Sequence, residues 1–102
     1  MAIYVNRDRA KFYLSNVEAD KMFFTQSGRS LKNIYDLYNF LASINQTEYE
    51  LYANKQKNDF ANWVGDVFVN YRLKSSLLNA RTPKEAALYV GRNIKMLERN
   101  IK

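Results

Sequence analysis

The chain contains no cysteine and no histidine. The first absence excludes disulfide staples, thiolate nucleophiles and zinc sites built on sulfur. The second removes the commonest general base and every triad that depends on an imidazole. Catalysis would have to rest on Asp, Glu, Lys, Tyr or Ser. The expectation is therefore a non-enzymatic protein with no cofactor and no metal. Glycine occurs three times and proline once in 102 residues, so no flexible linker, low-complexity tract or internal repeat is visible, and one helical domain over 1–102 is expected. No apolar run approaches the roughly 18 residues a membrane span needs. The opening "MAIYVNRDRAKFYL" meets charge too early for a signal peptide. Together with the missing cysteines this gives the expectation of an intracellular, cytoplasmic protein.

What is present is apolar mass and positive charge. Hydrophobic residues make up 47% and aromatics 15% of the chain, enough to build a core. The net charge is +6, and it is unevenly placed. Residues 1–50 carry six basic and six acidic side chains, whereas 51–102 carry ten and four. An excess confined to one half points to an anionic partner for one side of the molecule.

Periodicity predicts a mainly α-helical, compact bundle of four to five helices, with room for a short extended pair near residues 22–29. Residues 7–14 form a short, ambiguous segment. "SNVE" (Ser15 to Glu18) reads as a capping box. Phe23, Phe24 and Thr25 favour extended backbone, and Ser27-Gly28 marks a turn. Ser30 is taken as the cap of a helix over 31–43 carrying Leu31, Ile34, Leu37, Tyr38 and Leu41. The stretch 44–56 suits either a short helix capped by Thr47 or a strand with Tyr49, Leu51 and Ala53 alternating.

In "KQKNDFANWVGDVFV" (residues 55–69), Asn58 is a good N-cap and Asp59 suits the positive end of the helix dipole. Phe60, Trp63, Val64, Val67 and Phe68 then recur at the spacing of one helix face, so the single Trp reads as a core anchor. Asp59, Asn62 and Asp66 fall on the other side. Two carboxylates with no third ligand make a poor cation site and read better as a solvated face. A short helix over about 71–79 follows, burying Leu73, Leu77 and Leu78 in part. "TPKE" (Thr82 to Glu85) starts the last helix, with Thr82 as cap, Pro83 at the first helical position and Glu85 closing the box.

On a wheel, Ala87, Val90, Ile94, Leu97 and Ile101 of this last helix span an arc of about 80°. Lys84, Arg92, Lys95, Arg99 and Lys102 fill a similar arc on the opposite side. A basic ridge of this kind suits a phosphate backbone of DNA or RNA, because such contacts release counterions and supply affinity without sequence choice. A plain solvated face is the alternative, since cations late in a helix also answer the helix dipole. Leu88 lies inside the basic arc. With Tyr89 and Met96 it suggests a protein partner or a homo-oligomer seam instead. Lys55 and Lys57 form a second candidate nucleic-acid-binding cluster. Tyr4, Tyr13, Tyr52, Tyr71 and Tyr89 are the aromatics least committed to a core face. Tyr52 near Lys55 and Lys57, and Tyr71 beside Arg72 and Lys74, are the candidates for stacking on bases.

The stretches "FFTQSGRSLKNIYDLYNFL" and "YELYANKQKNDFANWVGDVF", with the Leu-rich helix after them, resemble a small domain family of archaea and bacteria that has no assigned activity. "KNDFANW" is the specific part, and the first 20 residues lie outside the resemblance. Members of that family usually have a His after the Tyr that precedes the motif, whereas this chain has "LYAN". The resemblance implies a compact domain organised around residues 58–69 and no particular chemistry.

Overall fold

Asparagine opens five of the six α-helices in the computed structural model, which describes residues 5–101. Asn6 caps α1 (Arg7–Leu14), Asn33 caps α2 (Ile34–Ser43), Asn45 caps α3 (Gln46–Glu50), Asn58 caps α4 (Asp59–Val67) and Asn70 caps α5 (Tyr71–Asn79). In each, the side-chain oxygen accepts the backbone N–H three residues on, satisfying a donor that the first helical turn leaves open. Thr82 does the same for α6 (Pro83–Arg99), with Pro83 in the first turn. Tyr4 and Lys102 lie outside the described residues.

These caps correct three expectations. Ser15 ends α1 rather than starting a helix. Its N–H and its hydroxyl both donate to the Phe12 carbonyl, and Glu18 makes no capping bond before the 3-10 turn at Ala19–Lys21. Ser30 belongs to an extended pair, and α2 begins later, at Ile34 after its cap Asn33. Thr47 lies inside α3, because Asn45 supplies a cap two residues earlier. The box at Thr82 also closes differently. The Glu85 carboxylate accepts the N–H of Arg81, one residue before the cap. Asp36 reaches back to the N–H of Lys32 in the same way at the start of α2.

The mainly helical architecture and the extended pair are as the periodicity predicts. Strands β1 (Phe23–Phe24) and β2 (Ser30–Leu31) are antiparallel, with Phe23 opposite Leu31 and Phe24 opposite Ser30. The turn between them needs Gly28, whose φ of 89° is costly for any side chain. Thr25 holds the turn by accepting the N–H groups of Arg29 and Gly28, through its hydroxyl and carbonyl respectively.

Helix α6 packs against α2, α5 and α1, and α4 packs on α5. The core is one contiguous cluster, and many of its aromatic contacts gather on α4. Phe60 lies 5.2 Å from the rings of both Phe23 and Tyr52 and 5.8 Å from Tyr49, and Trp63 meets Phe68 edge-on at 5.3 Å. Trp63 is 7% exposed and Phe60, Val64 and Phe68 are fully buried, so the expected apolar face of α4 is the core face. Burial extends beyond that face to Ala61 and Gly65. A side chain at Gly65 would meet the Lys74 stem, with Cβ only 2.6 Å from its Cδ. In α5, Leu73 and Leu77 are buried, but Leu78 remains 57% exposed. No helix among the described residues is long and apolar enough to cross a membrane.

Candidate nucleic-acid interface

The exposed side of α6 consists of Lys84, Leu88, Arg92, Lys95, Glu98 and Arg99. The opposite side buries Ala87, Val90, Ile94 and Leu97, and extends to Ala86 and Asn93. Asn93 was not evident as a core residue from the apolar periodicity. Its carbonyl oxygen accepts a hydrogen bond from Asn70 at 3.1 Å, which ties the cap of α5 to the middle of α6. The buried face of α6 is thereby anchored from within, and the four cations stand on the solvent side. From Lys84 to Arg99 the ridge is about 22 Å long at 1.5 Å per residue.

Among the described residues, none of the four cations forms an ion pair with a carboxylate. The one ion pair among the described residues is Lys57 with Asp59, at 2.9 Å. Glu98 is the acidic group of the exposed side, and its carboxylate accepts the Tyr35 hydroxyl at 3.0 Å. That contact and the charge on Glu98, after the effect of burial, hold the Tyr35 phenol above its ordinary pKa. Leu88 is 50% exposed in the middle of the ridge. Met96 departs from the expected seam. It is half-buried and packs against the core, with the Asn100 amide on its carbonyl and sulfur. Tyr89 is half-buried as well.

The second cluster lies elsewhere on the surface. Lys55 and Lys57, in the loop between α3 and α4, line an open groove of about 1090 Å³ whose other wall is the end of α5 with Leu78 and Asn79 and the following connection with Arg81. Two bonds hold the walls together. The Asn58 amide donates to the Leu77 carbonyl at 3.0 Å, and the Tyr49 hydroxyl donates to the Ala80 carbonyl at 3.4 Å. Arg81 comes three residues before Lys84, so the groove opens at the N-terminal end of the ridge. Sequence reasoning missed Arg81 and the groove, because its walls join segments some 20 to 30 residues apart that share no periodicity.

The aromatic candidates separate cleanly. Tyr52 is buried against Phe23, Phe40 and Phe60, and its hydroxyl accepts the Gln26 N–H at 2.9 Å, so it is no stacking platform. Tyr13 is buried and donates to the Val69 carbonyl. Tyr71 is exposed at the start of α5, beside an exposed Arg72. Asp59 is bound to Lys57, while Asn62 and Asp66 face solvent. No group of three or more His, Cys, Asp or Glu side chains able to hold a metal gathers among the described residues. Compared with known proteins, the chain matches no family model, no curated protein and no solved structure.

Proposed function

We propose that the protein is a non-enzymatic nucleic-acid-binding module that engages the phosphate backbone through α6. One observation carries this reading: Lys84, Arg92, Lys95 and Arg99 stand together on the exposed side of one helix with no ion-pair partner among the described residues. Unpaired cations on a rigid helix suit contacts that orient the protein on a strand without choosing sequence. Lys55 and Lys57 add charge at the groove, and Lys102 extends the pattern in sequence. The likeness of "KNDFANW" to a small domain family stays a proposal on those residues and brings no activity with it.

The test is the binding of labelled single-stranded and duplex oligonucleotides across a salt series. Four phosphate contacts on a single strand give a log–log slope near −3, or a roughly fifty-fold loss of affinity between 50 and 200 mM salt. The variant Arg92→Glu/Lys95→Glu/Arg99→Glu keeps its fold by circular dichroism, since exposed substitutions cost within about 0.5 kcal/mol each. It binds all sequences more weakly and lowers the slope by about two units. Unchanged binding in that variant removes α6 from the interface. A second reading, a protein partner or a second copy on the same face, is favoured by the exposed Leu88. It gives no salt-dependent nucleic-acid binding at all.

A further inference from the structure

We propose that the groove at the N-terminal end of α6 receives an unpaired base of a single strand whose phosphates lie along the ridge. Gln56 and Asn62 supply the hydrogen bonds that discriminate bases. This rests on the nucleic-acid reading of α6 and extends it from backbone contact to choice of strand and base.

The groove differs from the ridge in chemistry. Its lining is rich in amide side chains, with Lys55, Lys57 and Arg81 as cations and Glu50 as the carboxylate. Most of these groups are already engaged. The Asn58 oxygen caps α4 and its amide holds Leu77. The Asn54 amide donates to the Glu50 carbonyl, and its oxygen accepts the Gln56 N–H. Glu50 is occupied by the Gln46 amide. Gln56 and Asn62 are exposed, and neither side-chain amide is bonded among the described residues. Each offers an adjacent donor and acceptor, the pattern that amides use against base edges. Leu78 stands exposed on the same wall, an apolar surface against which a base face can lie.

Shape decides between paired and unpaired bases. In a duplex the base edges sit at the floor of a groove, and reading them takes a convex element that enters it. A concave site on the protein cannot reach them. It can take a base that has been splayed out of a stack, which is how sequence-specific recognition of single strands works. Arg81 lines the groove three residues before Lys84, and Lys55 lines it as well, so a strand that follows the ridge to its N-terminal end meets the groove at Arg81.

The experiment compares wild type with Gln56→Ala/Asn62→Ala on single-stranded homopolymers of each base and on a duplex of equal length, over a salt series. Wild type is expected to bind at least one homopolymer about ten-fold more tightly than the others and than the duplex. The variant is expected to lose that preference between bases while its salt slope is unchanged, because no phosphate contact is removed. Two outcomes overturn the groove alone: a wild type without base preference, or one whose preference survives in the variant. Both leave salt-dependent binding through α6 standing. Absence of salt-dependent binding to every probe overturns the groove and the ridge together.

Discussion

The indole N–H of Trp63 donates to the backbone carbonyl of Lys21 at 2.8 Å, joining positions 42 residues apart. The same ring packs edge-on against Phe23 at 5.8 Å and Phe68 at 5.3 Å. Trp63 thus fastens the 3-10 turn and β1 to α4 as well as filling the core. Trp63→Ala is expected to cost about 3–5 kcal/mol, the range for truncating a large buried aromatic. Against a total stability of about 5–15 kcal/mol, that leaves the domain marginal or unfolded. Trp63→Phe retains most of the packing and loses the hydrogen bond, at a cost of about 1–3 kcal/mol for the carbonyl left unpaired. Urea titrations of both variants check this. A Trp63→Ala protein within about 1 kcal/mol of wild type would contradict the anchoring role.

Asn58 performs two tasks with one side chain. Its oxygen accepts the Ala61 N–H at 2.9 Å, and its amide donates to the Leu77 carbonyl at 3.0 Å. Loss of the cap alone costs about 1 kcal/mol. Loss of the second bond adds about 1 kcal/mol, so Asn58→Ala is expected to cost about 2 kcal/mol. Asn58→Asp separates the two contributions. Aspartate caps as well as asparagine, but it sets a carboxylate oxygen against the Leu77 carbonyl, so the cap contribution returns while full wild-type stability does not. Recovery of wild-type stability in Asn58→Asp would show that the link to Leu77 contributes nothing.

The helix faces were legible in the sequence because each depends on the 3.6-residue period. Phe60, Trp63, Val64 and Phe68 are buried, and Lys84, Arg92, Lys95 and Arg99 are exposed. The boundaries were less legible where Ser or Thr competed with a nearby Asn. A hydroxyl followed three residues later by an acid, or standing just before a helical pattern, is an attractive signal. Asn33 and Asn45, whose side chains cap equally well, lay close by and took the role. Tyr52 shows a different limit. Its proximity to Lys55 and Lys57 suggested stacking, but the loop turns the ring inward, against Phe23 and Phe60. The groove depends on the contacts of Asn58 with Leu77 and Tyr49 with Ala80, which no local pattern encodes.

Val69 has a φ of 57°, a left-handed conformation in which a β-branched side chain is strained. It follows the end of α4, where glycine commonly stands, and the next residue, Asn70, returns its N–H to the Val64 carbonyl. Left-handed backbone costs about 1–2 kcal/mol for an ordinary side chain, and glycine returns about 0.5–1 kcal/mol of that through the unfolded chain. Val69 is 44% exposed, so little packing is lost on its removal. Val69→Gly is therefore expected to raise stability by about 0.5–1 kcal/mol, read as a higher urea midpoint at unchanged slope. The Tyr13 hydroxyl bond is to the Val69 carbonyl and survives the change. A destabilised Val69→Gly would show that the contacts of the Val69 side chain beside Phe12 and Phe68 outweigh the strain.

Alkaline pH should reveal two tyrosines, Tyr49 and Tyr35, whose protons the folded protein holds more tightly than the unfolded chain. Burial, then the charge of Glu85, raises the Tyr49 phenol above its ordinary value of 10.0. Tyr35 is raised by burial, by its bond to Glu98 and by that carboxylate's charge. In the unfolded chain both ionise near pH 10. Between that value and the raised folded value, the folded state binds more protons than the unfolded one. Linkage then requires stability to fall as pH rises through this window, with the contribution of both groups fully present below about pH 10. Tyr35→Phe/Tyr49→Phe cannot ionise at these positions and is expected to lose stability less steeply as pH rises above about 10, after a fixed cost for the two lost hydroxyl bonds. Every other ionisable side chain is common to both proteins, so the difference between the two curves isolates the tyrosines. Urea midpoints measured across this range would test it. Parallel curves would mean that neither phenol is held more tightly in the folded protein than in the unfolded chain.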